Sequence, residues 1–181
     1  MLRARNISVQ IGVYRPVHTP NIQAQRIAMQ KLAFLIGNWS GEASVLRGPS
    51  QLVDLAQTEH AEFKLDGLIL MIEGVGRLKS NGTPVLQALG VISFDDASAQ
   101  YRMRAFNDGR WLETEVKMLD EPQTISWGFT LGEMSTHSLL RINETGEWVE
   151  HADLTIGNRL PQTLLDLRVR STNGFTTRTV P

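Results

Sequence analysis

From residue 39 onward, apolar and polar positions alternate in short runs, and a turn signal interrupts them roughly every ten residues. Asn81-Gly82, Asp108-Gly109, Thr145-Gly146 and Asn173-Gly174 are the clearest of these signals. Asn-Gly and Asp-Gly tolerate the positive φ that tight hairpins demand. The runs between them are rich in Val, Ile, Leu, Thr, Trp and Phe, the residues that suit a pleated, half-buried surface. The pattern predicts about ten strands, at 39–47, 52–64, 68–79, 85–94, 100–106, 110–118, 124–131, 134–142, 147–156 and 163–171. Ten sequential antiparallel strands left flat would expose two edges, and closing the sheet removes both. The expected fold is therefore all-β, a single antiparallel meander barrel.

Before the strands the period is helical. Ala24, Ile27, Ala28, Leu32, Leu35 and Ile36 share one face, which predicts an amphipathic helix over 20–36. Thr19 is placed to cap it, Pro20 suits its first position, and Gly37 follows its last apolar residue. Such a helix is suited to closing one end of the barrel. Residues 1–19 read as a flexible arm, and 20–181 as one domain that includes the helix.

Composition narrows the functional classes. The chain has 181 residues, 41% hydrophobic and 20% charged, with a net charge of −1. That balance gives no basic stripe for nucleic acid. No segment approaches the ~20 apolar residues of a helical membrane span, and no secretory signal is evident at the start. Cysteine is absent, which excludes disulfides, thiolate catalysis and cysteine-ligated metals, and fits a cytoplasmic protein.

Candidate chemistry is diffuse. The histidines are His18, His60, His137 and His151, and no pair has metal-ligand spacing, so no metal is expected. Glu42, Glu59, Glu62 and Glu73 fall in early strands, and Glu113, Glu115 and Asp153 in later ones. Any of these facing a lumen could have a raised pKa and serve as a general base. Glu59 and Glu73 lie within otherwise apolar neighbourhoods. Arg102 and Arg104, two apart, share one face of their strand and could form a cationic floor for a carboxylate. Gly74-Val75-Gly76 lacks the context of a dinucleotide site and reads instead as a bulge or bend. There is no Gly-x-Ser-x-Gly nucleophile elbow.

Residues 32–43, LAFLIGNWSGEA, run a helix into Gly37-x-Trp39-x-Gly41. This opening resembles that of lipocalins and related calycin barrels. With GLILMIEGVGR at 67–77, ALGVISFD at 88–95, YRMRAF at 101–106 and Trp127-Gly128-Phe129, the chain is most similar to uncharacterised bacterial lipocalin-like barrels related to nitrobindins. The resemblance spans about residues 32–170 and implies a ten-stranded barrel with an apolar cavity. It further implies that Gly37, Trp39 and Gly41 close the barrel floor, with Arg168 or Arg170 packed over the Trp39 ring. Nitrobindins hold haem through a histidine in their last strands. The final strand here has none, and His151 lies one strand earlier, so haem is not expected and no other cofactor is identified.

The expected function is binding of a small hydrophobic or amphipathic ligand in the lumen, with Glu73, Arg102, Arg104, Trp127, His137 and His151 as candidate ligand-binding residues. Two alternatives belong to other classes. One is a lumen-based acid–base or hydrolytic enzyme, with Glu73, Arg104 or His151 as actors. The other is a filled barrel that acts as an interaction protein or homodimer.

Overall fold

The computed structural model describes residues 19–49, 51–107 and 109–172; the Asn173-Gly174 turn, His18 and the rest of the predicted arm lie outside them. The sheet runs β1 (Gly37–Leu46), β2 (Leu52–Lys64), β3 (Ile69–Leu78), β4 (Pro84–Asp95), β5 (Gln100–Asn107), β6 (Arg110–Met118), β7 (Thr124–Trp127), β8 (Thr130–Leu131), β9 (Met134–Ile142), β10 (Glu147–Ile156) and β11 (Gln162–Ser171). Each strand pairs antiparallel with its neighbour, and β1 pairs with β11 from Trp39↔Ser171 to Val45↔Leu165. The sheet is thus a closed up-and-down barrel of ten strands, the seventh broken into β7 and β8.

That break is the main departure from the predicted strands. A β-carbon on Gly128 would lie 2.4 Å from the Thr136 carbonyl oxygen, so the backbones approach too closely there for a regular ladder with any other residue. Thr136 Oγ1 accepts from the Phe129 N–H, and Thr114 Oγ1 donates to the Gly128 carbonyl. Gly74-Val75-Gly76 leads into a register shift between Gly76 and Arg77, the bulge anticipated from its glycines.

The helix is shorter than predicted. α1 (Ile22–Gln30) starts at Asn21, whose side chain accepts from the Ala24 N–H, and a separate 3₁₀ turn covers Ala33–Leu35. Asn21 outcompetes Thr19 because its carboxamide reaches the third residue on, while its own N–H is taken by Asp96 Oδ2 at 2.7 Å. Gly37 has φ +136°, a conformation few other residues adopt, and turns the chain from the 3₁₀ element into β1.

Helix and 3₁₀ turn plug one end of the barrel. Met29, Leu32 and Leu35 are fully buried against inward side chains that include Trp39, Leu70, Ile92, Val116, Ile125, Leu140, Trp148 and Val169. Two polar ties fix the plug. Trp39 Nε1 donates to the Leu35 carbonyl at 2.9 Å, and the Tyr101 hydroxyl donates to the Ala28 carbonyl at 2.7 Å. The Trp39 and Trp148 rings meet edge-on, with centroids 5.7 Å apart. Gly41 lets β1 and β11 close up, since a β-carbon there would sit 2.2 Å from the Arg168 carbonyl oxygen.

Candidate functional site

Along β2 the buried positions are Leu55, Gln57, Glu59 and Ala61, while the intervening residues are more exposed. The period of two therefore turns a glutamine and a glutamate into the barrel. Glu59 and Glu147 are the only buried ionisable residues among the described ones, apart from Tyr101 with its phenol. Glu147 faces the other way along its strand from its neighbour Trp148, so Glu59 is the buried charge of the lumen.

The space for Glu59 comes from the facing strand. Glu59 pairs with Gly74, and Gln57 with Gly76. A β-carbon at 74 would be 2.7 Å from Glu59 Oε2, and one at 76 would be 2.6 Å from Gln57 Oε1. The two glycines are a cradle into which the two polar side chains fold back. Gln57 Nε2 donates to Glu59 Oε1 at 2.7 Å. Burial nevertheless dominates, and the Glu59 carboxyl is pushed up to about 8. The nearby Glu150 charge adds to the shift.

Glu150 enters from β10, on the inward face shared with Trp148 and Ala152, opposite Leu167 of β11. Burial pushes its carboxyl up to about 7. The Trp148 indole lies close enough to Glu150 to oppose that shift slightly, but it does not reach hydrogen-bond geometry, and Nε1 has no partner. Gln57 Oε1 is likewise unpaired. Gln57 and Trp148 are each only 2% exposed. A buried carboxyl group, a half-buried one beside it, an orphan acceptor and an orphan donor thus converge on one side of the barrel. Unpaired buried polar atoms are uncommon, and a shared location makes them a candidate site.

The barrel wall has a thin seam between β6 and β7. β6 and β7 pair only through Lys117↔Ser126 and Met118↔Ile125. Residues of β6 before Lys117 have no ladder partner on that side among the described residues, and the Thr114 side chain spans to Gly128 instead.

Most residues singled out from the sequence lie elsewhere. Glu73 is exposed between the inward Ile72 and Gly74. Arg102 and Arg104 alternate with buried Tyr101 and Met103, so both point outward. Arg102 donates to Gln100 Oε1, and Arg104 pairs with Glu113 and stacks over the Trp111 ring at 5.1 Å. A hollow of about 530 Å³ on this outer wall includes both arginines, yet it is open and its arginines are already partnered. The cationic floor expected of Arg102 and Arg104 therefore does not face the lumen.

His137 and His151 are also exposed. His151 bonds Asp166 at 2.5 Å and Asp153 at 3.2 Å, and the Asp166 hydrogen bond raises its pKa. Of the six candidates, Trp127 alone turns inward, where it packs against the core. Arg168 and Arg170 do not cover Trp39. They alternate with buried Leu167 and Val169 and bind the Glu147 carboxylate from outside, and Trp148 takes the place beside the Trp39 ring. Asn143, Arg170 and Thr145 hold the Glu147 carboxyl down at about 2. Among the described residues no group of His, Cys, Asp and Glu could hold a metal ion.

Fold and site together define an up-and-down β-barrel whose interior carries the buried Glu59 carboxyl, with the half-buried Glu150 close by. No family model matches the chain, and no curated protein matches it. Among solved structures it is similar to Rv2717c from M. tuberculosis, with 12% identity and a TM-score of 0.60, over 80% of this chain and 96% of that one. At that identity the likeness shows the fold alone. No helix among the described residues is long and apolar enough to cross a membrane.

Proposed function

We propose that the barrel binds a small amphipathic molecule, its polar end among Gln57, Glu59, Trp148 and Glu150 and its apolar part along the lumen wall. The carrying observation is the pair of unpaired buried polar atoms, Gln57 Oε1 and Trp148 Nε1, beside the buried Glu59 carboxyl and the half-buried Glu150. The β6–β7 seam, where the ladder shrinks to two rungs, supplies the way in. The calycin-like reading of Gly37-x-Trp39-x-Gly41 agrees with a carrier of this kind, as do the roles of these three residues at the floor. The described histidines, His60, His137 and His151, face outward, and we do not propose haem.

An acid–base enzyme is the alternative. It would have to use Glu59 and Glu150, because Glu73, Arg104 and His151 lie on the outer surface. Native mass spectrometry of the purified full chain against short-chain alcohols, amines and acids tests the binding reading. An adduct that raises the melting temperature, and is lost when Gly90→Trp (on β4, where a β-carbon would point at Met103 and Ile72) fills the lumen of a chain that still folds, supports it. A melting temperature indifferent to every compound overturns it.

A further inference from the structure

We infer that the polar end of the ligand is a protonated amine, an inference that rests on the lumen-binding reading above. The argument begins with what the site can offer. Glu59, Glu150 and the free Gln57 Oε1 present acceptors once the carboxyls ionise, and Trp148 Nε1 is the unpaired N–H donor. Arg102 and Arg104, which the sequence offers to a carboxylate, point outward, to Gln100 and Glu113. Arg168 and Arg170 are likewise engaged outside, with Glu147. An anion brought beside Glu59 and Glu150 would be enclosed with no facing cation on the inward faces of the neighbouring strands β1, β3 and β11 to offset its charge. Their inward residues there are Trp39, Ala43, Gly74, Gly76, Leu167 and Val169.

An ammonium group inverts each of these difficulties. It carries three N–H donors and no acceptor, which matches one bond to each of Glu59, Glu150 and Gln57. Ionised Glu59 only accepts, so Gln57 must keep its Nε2 turned to Glu59 and its Oε1 free for the ligand. Ionised Glu150 can in turn accept from Trp148 Nε1, which closes the last open valence. One cation between two carboxylates also removes their mutual repulsion. The cradle fixes the positions of the acceptors, since Gly74 and Gly76 let both polar side chains fold against β3.

Proton accounting follows. In the empty barrel the Glu59 carboxyl holds its proton at neutral pH, and an arriving ammonium displaces it to solvent. No bond other than that O–H is broken, and the ligand keeps its own proton.

The test uses octylamine, octanol and octanoate, three probes of equal chain length, titrated calorimetrically into the full chain at pH 7 in phosphate and in Tris. The expected result is octylamine binding about tenfold or more tighter than either other probe, with an enthalpy that differs between the buffers because about one proton is released. Glu59→Gln and Glu150→Gln, checked for intact β structure by circular dichroism, should each weaken octylamine about tenfold and leave octanol nearly unchanged. Octanol or octanoate binding as tightly as octylamine would overturn the amine assignment and leave lumen binding standing. Failure of all three probes to bind would overturn both. Unchanged octylamine affinity in two folded variants would also sink the assignment.

Discussion

The Glu59 carboxyl lies over the α-carbon of Gly74, so close that a β-carbon there would come within 2.7 Å of Oε2 and 2.9 Å of Oε1. Gly74→Ala should therefore destabilise the protein by about 1–3 kcal/mol through local overpacking. In a Glu59→Ala background the same substitution should cost much less. Urea denaturation of the two single variants and the double variant gives the coupling directly, and additive losses would mean that the contact carries no energy.

A carboxyl whose folded pKa is raised from 4.5 to about 8 binds a proton that the unfolded chain has released. Its contribution is complete below pH 4.5 and fades as pH rises towards 8, so it makes stability fall across that window. Glu59→Gln, which cannot ionise, should flatten this fall and stabilise the chain at pH 8 by roughly 1–3 kcal/mol. Melting curves from pH 5 to 8.5 are the check, and parallel curves for both proteins would show that Glu59 titrates normally.

Glu147 has the opposite sign. Its pKa is lowered to about 2 by Asn143, Arg170 and Thr145, so the stabilisation is present above the unfolded value of 4.5 and is lost as pH falls through 2. Glu147→Gln should be less stable than the parent at pH 6, and the gap should close as pH falls to 2. Acid titration followed by tryptophan fluorescence measures that gap, and a pH-independent gap would assign the residue a purely steric role.

Trp39→Phe removes the donor to the Leu35 carbonyl and part of the edge-on contact with Trp148. The loss should be about 1–3 kcal/mol, since a buried carbonyl is stranded and a small cavity opens. Chemical denaturation tests it, with Trp127→Phe as a comparison at a half-buried inward position.

His151 gains its raised pKa from the Asp166 hydrogen bond. The stabilisation is full below pH 6.5 and disappears as pH rises through the folded value. His151→Asn should thus lag the parent at pH 5.5 and converge with it at pH 9, as read by thermal melts.

Strand positions were legible because turn chemistry and a period of two are local properties. β2, β6, β9 and β10 fall on the predicted residues, and the other ladders shift by one residue or two at their ends. The break at Gly128 was not legible, because its cause is the carbonyl of Thr136 on another strand. The site was only half visible. Glu59 stood among several strand carboxylates, and Leu55, Gln57, Glu59, Ala61 and Phe63 form an alternating set opposite a plainly polar one. That set mixes two polar residues with three apolar ones, so its facing becomes clear only when Gly74 and Gly76 are placed across from it. The arginines and histidines attracted attention through their chemistry, while their parity with Tyr101, Met103, Leu140 and Trp148 sends them outward.

Where β6 meets β7, two rungs stand in for a ladder, whereas β1, β2 and β3 are zipped along their length. The cylinder consequently resembles a bound book, with its spine at β1–β3 and its loose leaf at β6. Backbone amides on the unladdered side of 110–116 should trade their protons for deuterium ahead of those in the spine. Breathing there would widen the interior without disturbing the plug of Met29, Leu32 and Leu35.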